Sequence, residues 1–414
     1  MINALQELLR IRSVAGAPEG PYPYGSGPAA ALDHVLSLCR AFGFRTKNAD
    51  YRYGYAEIGQ GSEMIAILVH LDTVPEGSGW THPPFDGTIV ENRLYGRGVE
   101  DDKGPAIACI YAMKDLLEQG VPLQKRIRLI FGQDEETGDW LDIKAYCESE
   151  ELPAYGFTPD GSFPAIYGEK GILVVGMAMP LAESGLTAAE GGSAPNMVPD
   201  RCSAVYGGRT YTAVGRSAHG SLPHEGVNAI TRLMAQLSRL PQPPRFARCY
   251  TDLMGDSLCG ERMGIDFQDR QSGRLSLNAG QLIVEDGELR VYCDIRYPVT
   301  VSGREVLARM EKAAAAYGIR VWKRYEMAPV YMDQQGAVVT CLLEAYRSVT
   351  GDTSEPLVVG GGTYARAMKN IVAFGPALPE KPSTEHQADE NMDVDDLLRL
   401  RDIYRTALSK LLQL

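Results

Sequence analysis

The feature that most constrains this fold is the apolar run 64–69, which is followed directly by His70-Leu71-Asp72. A run of that length, rich in branched side chains, predicts a buried strand. Side chains two positions apart on a strand share a face, so His70 and Asp72 can act together where the strand geometry continues to Asp72. In open α/β sheets, ligands bind at the C-terminal edge of the strands. Taken alone, the pair is more typical of ordinary polar chemistry at a strand end.

The bulk properties exclude several classes of protein. A chain of 414 residues is too long for one average domain, and two or three are expected. The formal net charge of −12 argues against nucleic-acid binding, which needs clustered Lys and Arg. No apolar stretch approaches the roughly 20 residues of a membrane span. We therefore expect neither nucleic acid nor a membrane as a partner.

The N-terminal segment and the cysteines indicate the cellular compartment. Residues 1–10 have helical periodicity and lack the charged start and apolar block of a signal peptide. The eight cysteines are scattered, without a Cys-x-x-Cys pair, and free thiols suit a reducing environment. The sequence thus predicts a cytoplasmic protein whose cysteines hold no metal.

Helix and strand signals alternate in the first part of the chain and again after about Met327. This rhythm predicts an α/β domain with a mostly parallel sheet flanked by helices. The predicted elements are helix 29–42, strand 64–69, helix 103–119, strand 126–131, helix 139–148, strand 155–158, helix 338–349, strand 371–374 and a helix from about 394.

The middle of the chain has a different character, which begins near Gly171. Its strand and helix signals are segregated, which predicts an α+β domain inserted into the first. We therefore expect a discontinuous domain, 1–171 plus 328–414, interrupted by a domain of residues 172–327. The predicted elements of the insert are strands 202–206 and 211–214, helix 228–239, strand 288–297, helix 304–317 and strand 319–322.

Two acidic clusters adjoin these elements. Asp101 and Asp102 lie in a glycine-rich segment directly before a predicted helix, and the plainer interpretation is a helix cap. Asp134, Glu135 and Glu136 follow the predicted strand 126–131. Three adjacent acids repel one another, and a cation or a function can compensate that cost. The alternative for this second cluster is a solvated acidic turn.

Two further residues complete the pattern. Asp160 follows strand 155–158 in Pro159-Asp160-Gly161, where an ordinary Asp-Gly turn is the alternative. His386 precedes the last helix, where a lone histidine is usually exposed to solvent. The ends of parallel strands meet at one edge of a sheet, so the combination is stronger than its parts. Histidine and carboxylates without cysteine suit a hydrolytic zinc or manganese site, and a shared carboxylate can bridge two ions about 3.5–4 Å apart.

Three segments then resemble the signature of the M20 metallopeptidases: 70–75, 96–104 and 134–138. The later blocks follow the same order, so the resemblance covers nearly the whole chain. Within the family the chain is most similar to the PepV-type dipeptidases. The blocks that support this branch are Gly168-Glu169-Lys170-Gly171, Asn196-Met197-Val198-Pro199, residues 360–366 and the long insertion.

The resemblance implies a centre of two divalent metal ions per chain, zinc or alternatively manganese. Asp101 would bridge the two ions. His70 and Asp160 would complete one site, and Glu136 and His386 would complete the other. The fold implied is that of zinc peptidases, with the inserted domain as a lid.

The resemblance also assigns catalytic roles. Glu135 matches the general base, and Asp72 matches the acid that orients His70. A cis peptide bond is expected between Asp101 and Asp102.

Further residues are assigned to the lid and the substrate by the same resemblance. His219 matches the histidine that polarises the scissile carbonyl, and Arg296 matches the arginine that holds the substrate carboxylate. Asn196 and Arg366 are additional candidates for substrate contact. The plainer alternatives are a surface histidine at 219 and an arginine at 296 that is paired only with Asp294.

The expected activity is hydrolysis of the peptide bond of dipeptides or short peptides with a free N-terminus, by water activated between two metal ions. Among the proteins that this chain resembles, an aspartate at the position of Asp160 is typical of peptidases that act on a free N-terminus. A lid as large as this one is typical of relatives that act as monomers, so we expect a monomer. Two alternatives stay open: an N-acyl-amino-acid deacylase of the same family, and a non-catalytic metal-stabilised binding protein.

Overall fold

The computed structural model describes residues 1–414, which form two compact units. The first unit comprises Met1–Tyr167, Met332–Leu357 and Thr363–Leu414. The second comprises Gly168–Tyr331 and Val358–Gly362. No helix combines the length and the apolar character that crossing a bilayer requires.

The helices include ten α-helices and three 3-10 helices. The α-helices are α1 (Ile2–Leu9), α2 (Ser26–Ala41), α3 (Lys103–Glu118), α4 (Leu141–Ser149), α5 (Leu181–Ser184), α6 (Ala229–Ser238), α7 (Arg245–Leu253), α8 (Gly303–Ala315), α9 (Ala337–Thr350) and α10 (Val394–Leu411). The 3-10 helices are Pro223–Glu225, Glu261–Met263 and Tyr364–Ala367.

The strands fall into four sheets. In chain order they are β1 (Arg45–Asn48), β2 (Gly54–Ile58), β3 (Met64–His70), β4 (Thr88–Val90), β5 (Arg93–Tyr95), β6 (Arg126–Gly132), β7 (Tyr155–Thr158), β8 (Ile166–Glu169), β9 (Gly171–Pro180), β10 (Ala188–Gly191), β11 (Arg201–Tyr206), β12 (Arg209–Val214), β13 (Gln268–Asp269), β14 (Gly273–Arg274), β15 (Ser276–Glu285), β16 (Glu288–Tyr297), β17 (Arg320–Met327), β18 (Val330–Tyr331), β19 (Leu357–Val359), β20 (Ile371–Ala373) and β21 (Asn391–Asp393).

The main sheet of the first unit has the order β1-β2-β6-β3-β7-β20-β8. Its central strands β6, β3, β7 and β20 are parallel, and β2 and β8 pair antiparallel with their neighbours. All seven residues of β3 are buried, as expected for a central strand covered on both faces. Helix α3 packs on β3 and on α10, and α9 packs on α10. The predicted α/β architecture with a mostly parallel sheet is confirmed.

The second unit contains an antiparallel sheet of seven strands, in the order β12-β11-β10-β15-β16-β9-β17. Helix α6 packs on β11 and β12, and α8 packs on β9 and β17. The apolar side chains of these elements, including Leu173, Leu233 and Val306, form one core. This is the α+β arrangement predicted for the insert.

Several predicted bounds need correction. The helix predicted from 139 begins at Leu141, because Trp140 before it has the left-handed φ of 53°. The strand predicted at 319–322 runs from Arg320 to Met327. The prediction ended too early because the three residues that follow Trp322 are exposed and include two charged side chains, so the apolar signal stops there. Many of the shorter strands and the long strand β15 have no counterpart among the predicted elements.

Candidate metal centre

The parallel strands of the first unit bring three polar segments to one edge of the sheet. His70 is the last residue of β3 and pairs in register with Gly132, the last residue of β6. Glu135 and Glu136 follow β6, and Asp160 follows the next strand of the sheet, β7. Because neighbouring parallel strands end at the same edge, residues far apart in sequence meet there.

The carboxylate of Asp101 lies between two histidines. Its Oδ1 is 2.8 Å from Nε2 of His70, and its Oδ2 is 2.9 Å from Nε2 of His386. Nε2 of His386 also lies 3.1 Å from a carboxylate oxygen of Glu136. The peptide bond between Asp101 and Asp102 is cis, as the resemblance implies. Each oxygen of Asp101 therefore faces a different half of the cluster.

Two groups of side chains have the spacing of a cation site, and both contain His70. The first is His70 with Asp101 and Glu136, and the second is His70 with Glu135 and Asp160. Within each group the potential ligand atoms lie within 4.8 Å of one another. Nitrogen and carboxylate oxygen donors of this kind fit Zn²⁺ or Mn²⁺. The donor set is therefore suited to the metal that the sequence predicts.

Asp72 contacts this cluster from behind. Its fully buried carboxylate accepts the backbone N–H groups of Glu135 at 3.3 Å and of Glu136 at 3.0 Å. Nδ1 of His70 lies 3.0 Å from the main-chain oxygen of Asp72 and 3.4 Å from its Oδ1. Asp72 therefore fixes both the ring of His70 and the loop that carries the two glutamates.

Burial and the close approach of several carboxylates shift the pKa values of the cluster. Burial raises the pKa of Glu135 and of Asp160, and the neighbouring carboxylates raise them further. Burial opposes ionisation of Asp101 as well, but His70 and His386 outweigh it and hold the Asp101 pKa below its ordinary value. Hydrogen bonds to Asp101 and Glu136 raise the pKa of His386 to about 11. A divalent cation would relieve the repulsion among these acids.

Glu390 is a fully buried acid that no sequence motif indicates. Its carboxylate accepts N–H groups of Gly98, Glu100 and Asp101 and pairs with the guanidinium of Arg97 at 2.6 Å. These contacts join residues nearly 300 positions apart, which no local pattern reveals. The only available signal was its position four residues after His386.

Three predicted residues lie in the second unit. His219 is exposed, and its Nδ1 lies 2.6 Å from Oγ of Ser221. Asn196 is close to it in the fold, because Met197 and His219 form a β-bridge and the main-chain oxygen of Asn196 accepts the N–H of Gly220. The structure therefore brings Asn196 and His219 together.

Arg296 is held by a buried acid of its own strand. Its Nε and Nη2 donate to the two oxygens of Asp294 at 2.7 Å each, and its Nη1 donates to the main-chain oxygen of Gly360 at 2.6 Å. The Asp294 partner anticipated as the plainer alternative is thus present. Arg366 is half-buried in the 3-10 helix Tyr364–Ala367 of the first unit.

Comparisons with known proteins identify the family of this chain. The model of "Peptidase family M20/M25/M40" matches residues 66–410. A relative from Bacillus subtilis (strain 168), named "Putative dipeptidase YtjP", is 35% identical over 99% of this chain and 97% of its own.

Two solved structures share the fold. The M20 family metallo-carboxypeptidase Sso-CP2 from Sulfolobus solfataricus is 18% identical with a TM-score of 0.64, over 100% of this chain and 99% of that one. Human carnosine dipeptidase 1 is 15% identical with a TM-score of 0.64, over 100% of this chain and 96% of that one. The family match and the extent of the relative's identity lead to one conclusion: this chain belongs to the peptidase family M20/M25/M40.

Proposed function

We propose that this chain is a metal-dependent dipeptidase, which hydrolyses the peptide bond of dipeptides or short peptides with a free N-terminus. The observation that carries the proposal is the carboxylate of Asp101, which lies between Nε2 of His70 and Nε2 of His386. The name of the B. subtilis relative supports the same substrate class.

The proposed ligands are those whose donor atoms converge on this edge of the sheet. Asp101 would bridge two divalent ions, with His70 and Asp160 on one side and Glu136 and His386 on the other. Zinc is the metal we propose first, and manganese accepts the same ligands. When bound, the two ions would lower the pKa of a water molecule towards 7 and polarise the scissile carbonyl.

Glu135 is the proposed general base. It would accept a proton from the attacking water on a carboxylate oxygen and then donate that proton to the leaving amine. Its backbone is held on two sides, because its N–H donates to Asp72 and its main-chain oxygen accepts Nε1–H of Trp140 at 3.1 Å. A base held in this way stays within reach of the proton that it must transfer.

For the second unit we propose the role of a lid, from the resemblance of its motifs. His219 would stabilise the developing oxyanion, a contribution of about 3–4 kcal/mol for one good donor. Arg296 would bind the substrate carboxylate, and its contacts with Asp294 and Gly360 pre-orient the guanidinium. Asn196 and Arg366 are proposed substrate contacts.

We also propose that the chain resembles the PepV type in acting as a monomer, and that it acts in the cytoplasm. All eight cysteines are unpaired, which supports a reducing compartment. Sedimentation of the purified protein would test the oligomeric state.

The function is tested on purified protein that has been stripped of metal and reloaded with Zn²⁺ or Mn²⁺. We expect hydrolysis of dipeptides with a free N-terminus and little hydrolysis of N-acetyl amino acids. The reverse preference would indicate a deacylase, and no hydrolysis across either panel would leave a binding protein.

The variant Glu135→Gln should fold and bind metal but lose kcat by about 10²–10⁴-fold. Glu118→Gln, an exposed acid at the end of α3, is the matched control and should retain full activity. Full turnover in Glu135→Gln would remove Glu135 from the mechanism.

A further inference from the structure

Beside the proposed metal centre, Glu100 and Glu390 link two segments that are nearly 300 residues apart, because the carboxylate of each accepts a backbone N–H of the other's segment. The carboxylate of Glu390 accepts the N–H of Glu100 at 2.9 Å. The carboxylate of Glu100 in turn accepts the N–H of Thr384 at 2.8 Å and its hydroxyl at 3.0 Å. The segment 384–390, which we name the C-terminal segment, is thereby bound to the segment 96–101, which we name the Asp101 loop.

Glu390 gathers the backbone of the Asp101 loop around one buried carboxylate. The N–H groups of Gly98, Glu100 and Asp101 all donate to it, at 3.1, 2.9 and 3.3 Å. The main-chain oxygen of Glu390 also accepts the N–H of Gly96 at 3.0 Å. Several backbone N–H groups directed at one anion fix a loop more firmly than a single hydrogen bond does.

Arg97 places a buried positive charge against this anchor. Glu390 is fully buried and Arg97 is 2% exposed, so neither charge is solvated by bulk water. Nη1 of Arg97 lies 2.6 Å from a carboxylate oxygen of Glu390, so the guanidinium opposes the negative charge of the anchor. The ring of Trp80 lies 5.2 Å from the guanidinium of Arg97 and holds it from another side.

The C-terminal segment also carries His386, four residues before Glu390. His386 faces Oδ2 of Asp101, while Glu390 holds the backbone N–H of the same aspartate. One short segment therefore supplies a side chain to the centre and sets the position of the carboxylate that this side chain faces.

We propose that Glu390 is a positioning residue for the metal centre, which holds the Asp101 loop so that the carboxylate of Asp101 can bind both ions. The inference rests on the proposed function for its set of ligands. Beyond that function, the metal affinity would depend on Glu390, an acid that is not a metal ligand.

The test measures metal binding directly, by competition of Zn²⁺ between the protein and a chromophoric chelator. In Glu390→Gln the amide cannot accept from all the N–H groups, and Arg97 loses its counter-ion. We expect a loss of about 10–100-fold in Zn²⁺ affinity. A changed visible absorption spectrum of the Co²⁺-loaded protein would report the altered ligand geometry.

The matched control is Glu57→Gln. Glu57 is also a buried acid paired with a buried arginine of the first unit, since Nε of Arg128 donates to it at 2.8 Å. This variant should lose thermal stability but bind Zn²⁺ with wild-type affinity. Wild-type affinity in a folded Glu390→Gln would overturn the proposal, because it would leave Glu390 with the structural role of Glu57.

Two further variants keep the test decisive where Glu390→Gln does not fold. Glu390→Asp keeps the charge but withdraws the carboxylate by one methylene, and Arg97→Lys keeps the charge but loses the planar fork. Both should weaken Zn²⁺ binding, and wild-type affinity in either one, once folded, would contradict the proposal. Wild-type protein that binds two ions and hydrolyses no peptide would refute the proposed function and leave this inference standing.

Discussion

The buried carboxylate of Asp72 accepts the backbone N–H of Glu136 at 3.0 Å, across the boundary between two neighbouring strand ends. Its other oxygen accepts the N–H of Glu135 and lies 3.4 Å from Nδ1 of His70. One acid on the β3 side therefore sets the position of the loop after β6. The proposed base and two proposed ligands depend on it together.

Asp72→Asn tests this dependence. An asparagine presents one oxygen and one NH₂ group, so one of the two backbone N–H groups would face a donor instead of an acceptor. We expect a folded protein whose kcat and Zn²⁺ affinity fall by about 10–100-fold. Parallel kinetics and chelator competition would check this. Asp115→Asn is the control, because Asp115 is a half-buried acid on α3 whose carboxylate lies 3.6 Å from Nε of Arg401. Unchanged values of both quantities in Asp72→Asn would contradict the positioning role.

Metal should raise the thermal stability of the protein. Binding to the folded state alone stabilises it by about 2.7 kcal/mol when free metal is at 100 times its Kd. We expect Tm, measured by differential scanning fluorimetry, to rise with Zn²⁺ or Mn²⁺ concentration. Asp101→Asn removes the charge that lies between the two histidines and should abolish the rise. A rise of wild-type size in that variant would show that the metal binds elsewhere.

The sequence predicted the central strands well because their signal is local. The run at β3 is apolar at every position except its last, and the observed strand differs from the prediction by one residue. Strand β1, Arg-Thr-Lys-Asn, is short and mostly exposed, so it carries neither an apolar run nor an alternating pattern. Its place in the sheet comes from antiparallel pairing with β2, which is a tertiary contact.

In the candidate site, too, the features with a local sequence signal could be predicted and those that depend on tertiary contacts could not. The side chains that end or follow the parallel strands could be predicted because those strand ends share one edge, whereas His386 lies in a loop and is identified only by the resemblance. The roles of Glu390 and Arg97 could not be predicted, because they depend on a contact between two segments that are distant in sequence. The environment of Arg296 was also undetermined, since the sequence placed Asp294 nearby but gave no sign of the contact with Gly360.

Gly104 should be intolerant of substitution, for a reason that lies in the Asp101 loop. A Cβ at this position would stand 2.0 Å from the main-chain oxygen of Val99, so the loop would have to move. We expect Gly104→Ala to cost about 1–3 kcal/mol of unfolding free energy and to weaken Zn²⁺ binding. Gly16→Ala, where a Cβ meets nothing within 4 Å, is the control in urea denaturation. Equal stability of the two variants would show that the close contact is relieved without cost.

Glu57 should make stability depend on pH in the acid range. Burial alone would raise its pKa, but Arg45, Arg128 and Arg126 outweigh that effect and hold the pKa below the ordinary value of 4.5. An acid with a lowered pKa in the folded state stabilises the protein above its unfolded pKa, and this contribution is lost as the pH falls through the folded value.

At pH 7 the unfolding free energy of Glu57→Gln should therefore lie below that of the wild type by about 1–3 kcal/mol. The difference should shrink as the pH falls through the lowered pKa of the folded state, because the wild-type carboxyl group then becomes neutral as well. Urea denaturation of both proteins in metal-free buffer at pH 7 and pH 3 measures it, with Glu118→Gln as the exposed control. A difference of the same size at both pH values would mean that the charge of Glu57 contributes nothing, and that the variant is destabilised by altered packing alone.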